Sequence, residues 1–181
     1  MSRNIVVLSG SPRRGGNTDI LVESFKQGAV DAGKNVTVFR AADMDIGGCR
    51  GCEHCFGAAT RGVCVQKDDM PAVLSAVRSA DALVIASPVY NFDVTGQLKL
   101  MLDRFYALLN ERIPVKRAML LMACADGDAD TAGGAASMYK RWLNYQKWED
   151  AGVLIVTGVH KPGEIAGRSE LETAGAMGRD I

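Results

Sequence analysis

The stretch Ile5-Val6-Val7-Leu8-Ser9-Gly10-Ser11-Pro12-Arg13-Arg14-Gly15-Gly16-Asn17-Thr18 decides how the rest of the chain is read. Its first four residues are an unbroken apolar run with β-branched members, stopped by Ser9 and Gly10, as expected of a strand buried on both faces of a parallel sheet. From Thr18 onward, Ile20, Leu21, Phe25 and Ala29 fall at helical spacing, and Gly33 marks the stop. A strand, a glycine-rich turn and a helix in that order bring free backbone N–H groups and the positive end of a helix dipole to one point, which suits an anion. Ser11, Asn17 and Thr18 are candidates to add side-chain hydrogen bonds, and Arg13 charge, just beyond Ser9 at the strand end. The same residues also suit a plain helix cap and an ordinary turn. No Gly-Lys-Ser/Thr follows the glycines and the G-x-G-x-x-G spacing is absent, so triphosphate loops and dinucleotide turns drop in rank.

The alternation recurs along the chain. Val36, Val38 and Phe39 make a second short strand, after which Asp43 to Cys64 is rich in Gly and Cys and reads as a loop. Asp68-Asp69-Met70-Pro71 looks like a helix start with an acidic cap and Pro in the first turn, followed by an apolar face of Val73, Leu74 and Val77. Ala82 to Ala86 is a third strand, ended by Ser87-Pro88. Leu98, Met101, Leu102, Phe105 and Leu109 mark a helix and Ala118 to Ala123 a fourth strand. Residues 135–149 read as a helix carrying Trp142, Tyr145 and Trp148, and Val153 to Val156 as a fifth strand before a short helical tail. Near-continuous apolar strands alternating with helices predict an open α/β fold, a parallel sheet covered on both faces by right-handed crossovers. At 181 residues with no repeat or linker, a single domain over 1–181 is expected.

Apolar residues make up 48% and charged residues 23% of the chain, the balance of a globular domain rather than a disordered or fibrous one. Lys plus Arg and Asp plus Glu both number 21, so no surplus of positive charge draws the chain to nucleic acid or an anionic membrane. The apolar run from Ile5 is too short for a signal peptide, and no segment suits membrane insertion. A cytoplasmic, reducing location is expected, where clustered thiols bind metal or do redox chemistry more often than they form disulfides.

Ligands of open parallel sheets bind beyond the carboxyl ends of the strands, where the strand order switches direction. A second loop there, Ser87 to Gly96, carries Pro88, Val89, Tyr90, Asn91 and Phe92, whose aromatics and backbone amides suit a flat ring with one polar edge. Alternatively, Tyr90 and Phe92 plug the end of the sheet. The third loop, Cys124 to Gly134, is a candidate rim. Cys124 itself reads as a small buried residue, and His54 and His160 as solvated side chains. Trp142, Tyr145 and Trp148 read as one packing stripe or a dimer contact.

Three motifs in order, Gly10 to Thr18, Ser87-Pro88-Val89-Tyr90, and Gly96-Gln97-Leu98-Lys99 with Asp103-Arg104, resemble those of the flavodoxin-like NAD(P)H-dependent FMN reductase family. The resemblance covers Ile5 to Arg104 strongly and the remainder in pattern. It implies a three-layer α/β sandwich around a five-stranded parallel sheet of order 2-1-3-4-5. It further implies FMN, with its phosphate on the first loop and its ring against Pro88 to Phe92, NAD(P)H as electron donor, and a homodimer or dimer of dimers. Proteins of this kind are similar to azoreductases, quinone reductases and flavin reductases, which pass electrons through the flavin to a small acceptor. No catalytic acid or base is required, since the flavin carries the chemistry. Lys99, Asp103 and Arg104 either pair with one another or support the loop before them.

Four of the five cysteines form the pattern Cys49-x2-Cys52-x2-Cys55-x8-Cys64, and four thiolates at such spacing can surround one metal centre. The pattern resembles the compact cysteine motif of the iron–sulfur flavoproteins, a subgroup of the same family that holds a [4Fe–4S] cluster near FMN, although the spacing to Cys64 is longer here. Three readings stay open: an iron–sulfur cluster, a structural zinc site, and metal-free thiols. With a cluster, the chain would be an electron carrier between redox proteins; with zinc alone, an interaction module.

Overall fold

The computed structural model describes residues 3–109 and 111–181. Five parallel strands, β1 (Asn4–Ser9), β2 (Asn35–Arg40), β3 (Ala82–Pro88), β4 (Arg117–Ala123) and β5 (Glu149–Val156), form one sheet in the order β2-β1-β3-β4-β5. In the inner strands Leu8 stands beside Ile85 and Ile85 beside Leu120, so the middle of the sheet is apolar on both faces. The period of two then divides each strand between two cores. Ile5 and Val7 pack under α1 (Asn17–Asp31) and α5 (Ser169–Asp180), whereas Val6 and Leu8 pack under α2 (Met70–Arg78), α3 (Gly96–Asp103) and α4 (Gly133–Gln146). This is the three-layer flavodoxin-like sandwich that the motifs implied.

The α1–α5 layer is held by glycine. A Cβ on Gly28 would lie 1.9 Å from the Gly175 carbonyl oxygen, and one on Gly178 would lie 2.0 Å from that of Phe25. The two helix backbones therefore touch, with no side chain between them.

At the last helix and strand the structure differs from the sequence reading. α4 ends at Gln146, Lys147 is left-handed (φ 58°), and β5 begins at Glu149, four residues before the apolar run. Glu149 and Asp150 pair with Arg117 and Ala118 of β4 although both are exposed. An edge strand with one free side tolerates such polar residues, which hides its start. Trp148 therefore does not belong to the helix. It reaches Trp142 from the strand side, 5.3 Å between ring centroids, and Trp142 meets Phe105 at 5.5 Å, while Tyr145 points to solvent at 69% exposure. The three aromatics are not one stripe.

α2 starts where expected, but its acidic cap is shared. Asp69 occupies the cap position without a side-chain bond to the helix, and its carboxylate accepts instead from Asp45 N–H at 2.8 Å. Asp68 accepts from Met70 N–H at 3.2 Å.

Candidate functional site

The β1–α1 loop, the β3–α3 loop, the end of β4 and the β5–α5 loop surround one cavity of 290 Å³. It lies at the carboxyl edge between β1 and β3, where the chain order turns outward to β2 on one side and to β4 on the other. Of the candidate residues, Ser11, Arg13, Asn17, Thr18, Pro88, Val89 and Tyr90 line it. Ser9, Asn91 and Phe92 do not: Ser9 is buried at the end of β1 with its hydroxyl unpartnered, and the other two stand at the rim of the β3–α3 loop.

At the α1 end, Gly15 is left-handed (φ 66°), and its N–H is taken by Asp19 at 2.9 Å. Ser11 Oγ accepts from Arg13 N–H at 3.3 Å and closes the turn. The N–H groups of Asn17 and Thr18, in the first turn of a 15-residue helix, have no acceptor among the described residues. Such orphan donors at a helix N-terminus hold an anion.

Asn17 is engaged elsewhere. Its side-chain amide donates to the carbonyl oxygens of Val159 at 3.2 Å and Lys161 at 2.9 Å, and its side-chain oxygen accepts from Ile165 N–H at 3.3 Å. Arg13 donates to the His160 carbonyl at 3.1 Å. Both residues thus staple the β5–α5 loop to the first loop. That staple brings Val159, His160 and Pro162 to the cavity wall, and Ala123 and Ala125 reach it from the end of β4. Ala125 comes from the loop expected to form the rim, whereas the other four were not among the candidates, because small and apolar residues carry no chemical signature and His160 alone had no partner in the sequence. His160 is exposed, as expected, but it faces this site.

The β3–α3 loop is a tight hairpin. Tyr90 and Asp93 exchange backbone hydrogen bonds of 2.9 and 3.1 Å across Asn91 and Phe92, both left-handed at φ 47° and 67°. Phe is rare in that region, and the strain is of order 1–2 kcal/mol. The hairpin leaves the N–H groups of Asn91 and Phe92 without acceptors among the described residues, and leaves Phe92 68% and Tyr90 42% exposed. Thr95 ties this loop to the first one: its hydroxyl donates to Gly10 O at 2.8 Å, and a Cβ on Gly10 would lie 2.5 Å from that hydroxyl. A cradle of unpaired donors thus meets a loop with exposed aromatic faces and two free amides.

The cysteine segment leaves the sheet beyond β2 and is zipped at its neck. Asp69 N–H donates to Asp45 O at 2.9 Å, and the Gln66 side-chain amide to Gly48 O at 3.1 Å. Cys49 and Cys52 are exposed, Cys55 and Cys64 half-buried, and Cys124 buried apart from them. Burial pushes the Cys55 thiol up, and the other three cysteines of the segment add to the shift. Among the described residues no three metal-ligating side chains converge on a point. Lys99 and Asp103 form an ion pair with each other, whereas Arg104 turns inward to the neck of this loop. Lys99 and Asp103 pair as expected, whereas Arg104 joins neither of them nor the loop before the helix and supports the cysteine loop instead. Among the described residues no helix is long and apolar enough to cross a membrane.

The NADPH-dependent FMN reductase family profile matches residues 3–158. An iron–sulfur flavoprotein of Archaeoglobus fulgidus is 32% identical over 154 residues, which is 85% of this chain and 75% of that protein. Another, from Methanocaldococcus jannaschii, is 34% identical over 100 residues, 55% of this chain and 50% of its own length. The matched part of the chain spans about half the length of several such relatives. An NAD(P)H:quinone oxidoreductase from Methanothermobacter marburgensis shares the fold with a TM-score of 0.76 at 19% identity, over 99% of this chain and 97% of that one. Matched from β1 through β5, and similar over most of its length to an iron–sulfur flavoprotein, the chain belongs to the NADPH-dependent FMN reductase family, in the group of the iron–sulfur flavoproteins.

Proposed function

We propose that this chain is an FMN-dependent oxidoreductase that takes electrons from NAD(P)H and delivers them through the flavin to a quinone, a free flavin or another small acceptor. The observation that carries this reading is the cavity at the β1/β3 switch point, with unpaired N–H donors at one end and an exposed aromatic hairpin at the other. Its 290 Å³ is at the low end of ligand cavities, roughly 300–1,000 Å³. It fits a phosphate and sugar chain, with a ring resting at the mouth. Bound FMN supplies hydride acceptance and onward electron release. The chain's part is placement: the N–H groups of Asn17 and Thr18, the hydroxyls of Ser11 and Thr18, and Arg13 hold the phosphate. Pro88, Val89 and Tyr90 flank the ring, and the free amides of Asn91 and Phe92 serve its polar edge. Exposed Tyr90 and Phe92 are suited to cover by a second copy, so a homodimer or dimer of dimers belongs to this reading. The test is FMN titration of the purified protein, then anaerobic addition of NADH or NADPH. Stoichiometric binding followed by bleaching of the flavin bands is expected; failure of either step sinks the proposal.

A second reading is favoured by the cysteine loop: a [4Fe–4S] cluster on Cys49, Cys52, Cys55 and Cys64 that relays single electrons from the flavin to a redox protein. Four free thiols at short spacing on one tethered loop are a donor set suited to such a cluster. Anaerobically purified protein should then hold about four irons and matching sulfide per chain. Flavin without iron or sulfide would leave only the first reading.

A further inference from the structure

We propose that Arg104 is the positioning residue of the cysteine loop, fastening the two ends of the loop together so that its four cysteines are held in place. Arg104 follows α3 in a short 3-10 turn and is 1% exposed, the largest fully buried side chain among the described residues. One terminal nitrogen donates to Gly47 O at 2.8 Å and to Asp68 Oδ2 at 2.6 Å, and the other to Asp68 Oδ1 at 3.1 Å. Gly47 stands two residues before Cys49 and Asp68 four after Cys64, so a single guanidinium bridges both ends of the segment that carries all four cysteines. Asp68 reinforces the closure by accepting from Gly47 N–H at 3.2 Å.

The remaining donor is unspent. Arg104 Nε is fully buried without a partner, and a buried N–H of that kind calls for an acceptor. Burial works against the guanidinium charge, and the hydrogen bonds to Asp68 stabilise it. A planar cation with two nitrogens on a carboxylate, one of them also on a backbone carbonyl, fixes the side chain in one orientation. The same rigid element starts at the hairpin: Thr95, bonded to Gly10, caps α3, whose eight residues span about 12 Å. One short helix therefore joins the candidate flavin site to the cysteine neck.

The fastening is a property of the chain itself; the effect on a bound metal centre rests on the cluster reading above. Anaerobically purified full-length protein is to be compared with Arg104→Lys and Arg104→Gln for FMN, iron and sulfide per chain, and for hydrogen exchange of amides 45–69. Arg104→Gln is expected to keep FMN, lose iron at least threefold, and exchange the loop amides at least tenfold faster. Arg104→Lys keeps a cation on Asp68 but lacks the planar two-nitrogen fork, so it should recover most of the iron, with loop exchange between that of Arg104→Gln and wild type. Wild-type iron and exchange in both variants would overturn the proposal. If wild type holds FMN but no iron, the cluster reading falls, and loop exchange alone decides the fastening: tenfold faster supports it, unchanged overturns it. If Arg104→Gln also loses FMN, the lysine variant carries the comparison.

Discussion

Asn17→Ala separates two jobs that the sequence leaves joined. In the structure the Asn17 carboxamide bonds to Val159 O, Lys161 O and Ile165 N–H. Lys161 is exposed, so its carbonyl can turn to water. Val159 and Ile165 are 4% and 0% exposed, and their backbone groups would be left unpaired. At about 1–1.5 kcal/mol for each such group, the loss is about 2–3 kcal/mol, offset by roughly 0.5 kcal/mol from the better helix propensity of Ala. For a domain of this size, about 2–4 °C per kcal/mol lowers Tm by roughly 3–10 °C. The assay is thermal unfolding of FMN-free protein by circular dichroism, paired with FMN titration by fluorescence. FMN affinity should fall only as far as the β5–α5 loop loosens. A variant whose FMN-free Tm stays within about 1 °C of wild type while FMN affinity drops tenfold, about 1.4 kcal/mol, would make Asn17 a direct ligand and refute the staple.

Gly28→Ala should cost about 3 kcal/mol, the upper end for overpacking, because the new methyl meets a carbonyl of α5 at 1.9 Å and not a movable side chain; calorimetry showing Tm within about 2 °C of wild type would contradict the backbone contact. The hydrogen bond from Arg104 holds the Asp68 carboxyl below the usual range, so the pair's contribution is present above pH ~4 and is lost as pH falls through the lowered value. Asp68→Asn is therefore expected to be less stable by about 3–5 kcal/mol at pH 7, with the gap narrowing below about pH 4; urea midpoints giving a pH-independent gap would remove the ion pair from the account. Phe92→Gly relieves a left-handed phenylalanine, so FMN-free stability should rise by up to about 1 kcal/mol while FMN binding weakens, and tighter FMN binding would argue against a ring-covering role.

The central strands and the motif order were legible from residues alone. Ile5 to Leu8, Ala82 to Ala86 and Ala118 to Ala123 are buried on both faces, and such strands must be apolar at every position, so composition betrays them. The first loop with its free N–H groups was legible for a related reason, since few residue types can turn a strand into a helix while leaving N–H groups free. The polar half of β5 was not, because an edge strand has a free side and need not be apolar there. Tertiary structure alone decided that Asn17 holds a distant loop, that His160 reaches the cavity, and that Gly28 and Gly178 let two helices touch. It also decided that Arg104 leaves Lys99 and Asp103 to pair and turns to the neck of the cysteine loop. Each of these depends on which partner arrives across 36 or more residues of chain. Local periodicity encodes what a residue buries, and a directional hydrogen bond is specified only when folding brings its acceptor into place.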